Sequence, residues 1–194
     1  MNIIDSLIKP VRVWSRDEVL SEPGPIKKSP GVYAWFFKEI PPHIIINSCV
    51  KYQNLKLLYV GISPSSPPQN GEPPSRQTIY NRIRYHYKGN AEGSALRLTL
   101  GCLLSEKLNI ELRRVGNGNR MTFCTGEETL SKWMGENAFV TWVYYDEPWV
   151  LEEELISQVF LPLNLRGNER NINYPIVSSI RNNAKTNARI LPIV

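Results

Sequence analysis

Residues 31–37 read GVYAWFF, seven positions without a charge and rich in aromatic and β-branched types. Such a run is expected as a central β-strand covered on both faces, because alternate residues of a strand point to opposite sides. Residues 55–60 (LKLLYV) read as a second strand, and residues 138–145 (AFVTWVYY) as a strong third. The first two carry a tripeptide each, Gly31-Val32-Tyr33 and Tyr59-Val60-Gly61. Each sets a phenol near a glycine, where backbone and substrate can approach closely.

The covers for these strands come from segments with helical spacing. Residues 76–88 place Ile79, Ile83 and Tyr87 on one apolar stripe, and Gly89-Asn90 ends the run as a C-cap would. Residues 94–108 carry Leu96, Leu100, Leu103, Leu104 and Leu108, a core helix. Residues 127–135 suit a short helix. Pro148 begins a further helix reaching about Phe160, and Pro162 stops it. Residues 109–125 suit two short strands around the 116–119 turn. Residues 63–75 hold five prolines and four serines, so they are expected as a loop. An extra strand at residues 43–47 fits the long connection after the first strand. Residues 1–30 read as a loosely structured arm, in which residues 11–14 suit an edge strand and Ser15 or Asp17 a helical cap.

With 42% hydrophobic and 21% charged residues, the chain is globular rather than disordered. Its longest apolar stretches are far too short to span a bilayer, and no secretory signal stands at its start. Cys49, Cys102 and Cys124 lie far apart and read as reduced thiols, so a cytoplasmic protein is expected. With only His43 and His86 as histidines, a structural zinc site is not expected.

The net charge of +5 is unevenly spread. Residues 76–97 hold Arg76, Arg82, Arg84, Lys88 and Arg97 against Glu92, and residues 165–194 hold Arg166, Arg170, Arg181, Lys185 and Arg189 against Glu169. Two basic segments fit a phosphate footprint; a solvated surface would look the same at this level.

Six polar side chains stand out. Arg82 and His86 lie one helical turn apart and project together, beside the apolar stripe. Arg84, with Arg76, Tyr80 and Lys88, forms a more outward stripe. Among Glu152, Glu153 and Glu154, helical phase puts only Glu152 with Ile156 and Phe160 at the edge of the buried face. A carboxylate there needs a positive partner, and a salt bridge to arginine or a hard metal ion both satisfy that. Asn164 follows Pro162-Leu163 and, on its own, suits a turn. Tyr33 and Tyr59 complete the set.

In that order the set resembles the GIY-YIG nuclease family. The tripeptides match as GVY and YVG. The segment Ile79-Tyr80-Asn81-Arg82-Ile83-Arg84-Tyr85-His86-Tyr87 is similar to the helix that carries the family arginine, at Arg82. His86 stands where some restriction enzymes of the superfamily have histidine and excision-repair members have tyrosine. The run from Leu151 to Asn164 is similar to the closing motif, in which the glutamate binds the metal. One departure is Ile62, where the family often has lysine; that cationic contact is then either missing or supplied elsewhere, by Arg84 or Lys88. A second is the long Tyr33-to-Tyr59 connection, which restriction-type members also have.

The resemblance implies an α/β fold: a small, largely antiparallel sheet flanked by helices over residues 31–164, with the arm 1–30 and a basic extension 165–194. It implies a DNA endonuclease using Mg²⁺ or Mn²⁺ at Glu152, with Tyr33 as base, Arg82 stabilising charge, His86 assisting, and Tyr59 and Asn164 positioning. Arg76, Arg84, Lys88, Arg97, Arg166, Arg170 and Arg181 are the expected DNA contacts. The alternative is a catalytically silent nucleic-acid-binding module on the same fold. A homodimer suits double-strand cutting and is not needed for nicking, and any methyltransferase or helicase partner would be a separate chain.

Overall fold

The computed structural model describes residues 3–68, 70, 72–73 and 75–194. Strands β1 (Gly31–Phe37), β2 (Lys51–Tyr52), β3 (Leu55–Ser63) and β6 (Ala138–Tyr144) form one antiparallel sheet in the order β2-β3-β1-β6. All seven residues of β1 are buried, as a run without charges requires. Tyr33, Trp35 and Phe37 face one core, and Val32, Ala34 and Phe36 face the other. A register shift between Trp35 and Phe36 leaves Tyr59 opposite Trp35 and Gly61 opposite Tyr33. Both phenols therefore project from the same face.

That face is covered by α2 (Arg16–Leu20), α3 (Ile79–Lys88), α4 (Ala95–Leu103), α6 (Gly126–Asn137) and the C-terminal α8 (Tyr174–Ile190). Ile79, Ile83 and Tyr87 of α3 are fully buried, as the stripe in the sequence indicates. The opposite face is covered by α1 (Ile3–Ile8) and α7 (Pro148–Gln158), through Ile4, Leu7, Leu151 and Leu155. A hairpin of β4 (Arg113–Val115) and β5 (Arg120–Thr122) flanks the first layer. Among the described residues, no helix is long and apolar enough to cross a membrane.

Some expectations are met and others corrected. No strand forms at 43–47. His43 has φ 66°, which ends any extended run, and the backbone of Ile45 pairs with the Asn173 carboxamide at 2.7 and 3.0 Å instead. Within the arm, Ile3–Ile8 form a helix that docks on the sheet through Ile4 and Leu7. Residues 11–14 contribute one bridge, Trp14 to Val140, and Ser15 closes a capping box with Glu18. The helix expected over 94–108 breaks at Leu104 into α4 and α5 (Ser105–Leu108). The loop expected over 63–75 has no helix or strand beyond Ser63 among its described residues, and Gln69, Gly71 and Pro74 lie outside them. The tail forms a 17-residue helix whose Val177 and Ala188 are buried.

Candidate active site

A cavity of about 1070 Å³ opens where β1 and β3 meet α3, α7 and α8. Tyr33, Tyr59, Arg82, Glu152 and Asn164 all line it, together with Arg166, Arg170 and Arg181. These residues come from distant parts of the chain, and each is placed by an identifiable local rule.

Tyr33 sits at the crossing of two strands, and its ring packs over Gly61. The other glycine of the pair, Gly31, is required by β6: a Cβ there would meet the Val143 carbonyl oxygen at 2.3 Å. The Tyr33 hydroxyl is 2.8 Å from His86 Nε2. Burial pushes the Tyr33 hydroxyl well above its usual range; Tyr59 and Glu152 add to this, and the Arg82 guanidinium opposes it. Tyr59 is pushed up to about 12 by burial and Glu152, with Arg82 and Arg181 opposing.

His86 is fully buried, behind the cavity wall rather than on it. Burial, followed by the charges of Arg82 and Arg97, holds its pKa well below the ordinary value, so the ring is neutral. Its Nδ1 lies 2.7 Å from Ser94 Oγ. Ser94 Oγ already accepts the Arg97 N–H at 3.1 Å. Its own hydrogen has no other acceptor among the described residues, so donor–acceptor accounting sends that hydrogen to Nδ1. In the tautomer assigned by that accounting, the imidazole proton lies on Nε2 and is donated to Tyr33 Oη. The Tyr33 hydrogen is left pointing at the cavity.

Glu152 occupies the edge of the buried face of α7, while Glu153 and Glu154 are exposed. Among the described residues it has neither a hydrogen bond nor an ion pair. The Glu152–Arg82 salt bridge that the sequence left open does not form; Arg82 donates to the Gly93 carbonyl at 2.7 Å. Burial pushes the Glu152 carboxyl up to about 7, with Arg166 and Arg82 opposing and Glu153 adding. A half-buried carboxylate facing a wet cavity without a partner suits a hard cation that takes its other ligands from water and phosphate oxygens. No group of three His, Cys, Asp or Glu side chains is gathered among the described residues. The fit is therefore to a one-carboxylate site, with Mg²⁺ or Mn²⁺ the matching ions.

Asn164 has a different task. Its Oδ1 accepts the Val60 N–H and its Nδ2 donates to the Val60 carbonyl, both at 2.9 Å. The carboxamide thus acts as an extra strand partner for the residue between Tyr59 and Gly61. It positions the site, and one Nδ2 hydrogen and one Oδ1 lone pair stay uncommitted among the described residues.

The expected DNA contacts divide. Arg166 and Arg181 reach the cavity free of any carboxylate partner among the described residues, whereas Arg76 and Lys88 are exposed and do not line it. Arg170 also lines it, but its guanidinium binds the Ile156 and Ser157 carbonyls at the end of α7. Arg84 is turned away, donating to the Val19 carbonyl and pairing with Glu22 at 2.8 Å. Arg97 is corrected outright: it is fully buried and pairs with Glu127 at 2.6 Å. It serves the His86 layer, not a surface.

Sequence reasoning missed Ser94 as the partner of His86. A serine before an apolar helical run signals the N-cap of α4, which Ser94 is, but says nothing of a histidine. It also left the cavity-facing placement of Arg181 unstated.

The model of the GIY-YIG catalytic domain matches residues 31–186, most of the chain. No curated protein and no solved structure matches. The match runs past Asn164 into α8, so the family pattern includes the segment that brings Arg181 to the cavity.

Proposed function

The chain belongs to the GIY-YIG nuclease family, and from that premise we propose that it is a divalent-metal-dependent DNA endonuclease. The observation that carries this is Glu152: a half-buried, unpartnered carboxylate facing Tyr33, Tyr59 and Arg82 across one cavity. A purely structural carboxylate would have been given a counter-ion.

Phosphodiester hydrolysis needs a water lined up with the bond to be broken and compensation for the charge that develops. Tyr33 is the proton acceptor in this reading. Among the described residues its hydroxyl is the only one at the cavity that a neutral imidazole holds from behind, and an Nε2–H donated by His86 stabilises phenolate over phenol. Once the Glu152 charge is compensated, Arg82 is the main charge near the Tyr33 oxygen and favours phenolate further. The Tyr33 hydrogen is first lost to solvent through the cavity; as the water oxygen then bonds to phosphorus, the phenolate takes the water's proton, the bond to the leaving oxygen breaks, and that oxygen takes a proton from solvent. Arg82 offsets charge on the phosphoryl oxygens, tethered by the Gly93 carbonyl. Bound at Glu152, Mg²⁺ or Mn²⁺ would supply positive charge at the phosphate and the leaving group. Tyr59 and the Asn164 clamp on Val60 hold β3 in register beneath these groups.

The test is cleavage of supercoiled plasmid with Mg²⁺, with Mn²⁺ and with EDTA. The nuclease reading expects metal-dependent relaxed or linear product, lost in EDTA and in Glu152→Gln. Retained binding with no cleavage under any metal would leave the silent nucleic-acid-binding module instead.

A further inference from the structure

One face of α8 lines a groove and carries two cations. A groove of about 260 Å³ adjoins the cavity and shares Arg166 and Arg181 with it, so the two form one continuous trough. Its helical wall carries Tyr174, Ser178, Arg181, Asn182 and Lys185. These recur at intervals of three and four, one face of an α-helix. Arg181 and Lys185 stand one turn apart, a like-charge pair that weakens a helix unless something answers it. Among the described residues neither has a carboxylate partner. Arg181 is half-buried, makes one side-chain hydrogen bond among the described residues, to the Thr99 hydroxyl at 3.3 Å, and carries the desolvation penalty of a cation withdrawn from water. Glu169 is the one carboxylate on the groove wall, and it accepts the Gly167 N–H at 3.2 Å.

We infer that this face of α8 is a phosphate subsite for the substrate strand: Arg181 and Lys185, with the Ser178 hydroxyl, hold a backbone phosphate beside the one being cut. The inference rests on the nuclease reading and adds a direction to it. The strand crosses Glu152 and Arg82, passes Arg166 and Arg181, and leaves along the helix toward Lys185. The contact is to phosphate, so it carries affinity and register and no base preference.

The experiment measures duplex DNA binding by full-length Glu152→Gln protein over a range of KCl concentrations, by fluorescence anisotropy. Lys185→Gln and Arg181→Gln are introduced into that background, with Lys51→Gln at the far sheet edge as reference. Each groove substitution should weaken binding about tenfold and lower the salt slope by about one, with the reference unchanged. In the active protein, Lys185→Gln should raise KM and leave kcat alone. Arg181→Lys should recover most of the affinity, which guards against a folding defect in Arg181→Gln. Unchanged affinity and salt slope in both groove variants, in a protein that cleaves, would overturn the subsite alone. Absence of DNA binding and cleavage in the unsubstituted protein would overturn the nuclease reading beneath it.

Discussion

Tyr33 lies so close over Gly61 that a methyl group on the glycine would meet the phenol oxygen at 2.6 Å and ring carbons at 2.7 and 2.8 Å. The two residues are direct partners across β1 and β3, so the glycine gives the tyrosine its seat. Tyr33 cannot yield by rotating, because its hydroxyl is bound to His86 and its ring is buried. Gly61→Ala should therefore destabilise the fold by roughly 1–3 kcal/mol, the usual range for overpacking. It should also lower plasmid cleavage far more than a stability loss of that size explains. Thermal melts and cleavage rates on the same sample check this; near-normal cleavage would show that the tyrosine seat is not critical.

Glu152 should trade stability for function. Its carboxyl stays protonated in the folded metal-free protein up to about pH 7, whereas in the unfolded chain it ionises near its ordinary value of 4.5. Between these values the folded state binds the extra proton, so stability falls as pH rises through the window and the full penalty stands above it. Glu152→Gln removes that penalty. In EDTA the variant should melt higher than wild type at pH 8, and the difference should shrink toward pH 4.5. The same variant should bind DNA and fail to cut it. A lower melting temperature at pH 8 would mean that the carboxylate has a partner in the fold.

Arg82 and Arg84 stand two residues apart and should behave differently. Arg82→Ala removes a charge from the cavity and should slow cleavage by roughly 10²–10³, the typical loss for one transition-state donor. Arg84 is occupied with Val19 and Glu22 on the far side of α3. Arg84→Ala should cost some thermal stability and leave the cleavage rate within a few fold of wild type. Single-turnover rates at saturating DNA decide between them, and equal losses would defeat the distinction.

The contrast between those two arginines shows what a sequence can carry. Local pattern marks β1 at its true ends, because a run buried on both faces has no polar residue to spare, and phase along α7 separates Glu152 from its two neighbours. Charge counting fails where the partner is remote. Arg97 sits in a basic stretch, and its answering Glu127 lies on another helix. The segment around Ile45 has the apolar residues of a strand, yet its backbone is satisfied by Asn173 from the tail, a pairing that no local signal announces. The outward stripe of α3 was legible as basic, but the arm that occupies Arg84 was not.

Ser94 should prove to be a positioning residue for Tyr33, acting through His86. Its hydroxyl bonds His86 Nδ1 at 2.7 Å and accepts the Arg97 N–H at 3.1 Å, so it sets which imidazole nitrogen holds the proton. In Ser94→Ala nothing donates to Nδ1. The proton is then free to move there from Nε2, which would turn His86 from a donor to Tyr33 into an acceptor and remove support for the phenolate. Cleavage at saturating DNA should fall about tenfold, less than the roughly 10²–10⁴ that a whole acid–base group contributes, because the base itself stays in place, with DNA affinity unchanged. Ser94→Thr, which keeps the hydroxyl, should restore most of the rate. Nitrogen-15 spectra of the imidazole give a readout that structural damage alone would not move. Wild type should show Nε2 protonated at neutral pH, and Ser94→Ala a shift toward the other tautomer. If wild type already carries its proton on Nδ1, the relay runs in the opposite sense, and Ser94 would then be only the cap of α4.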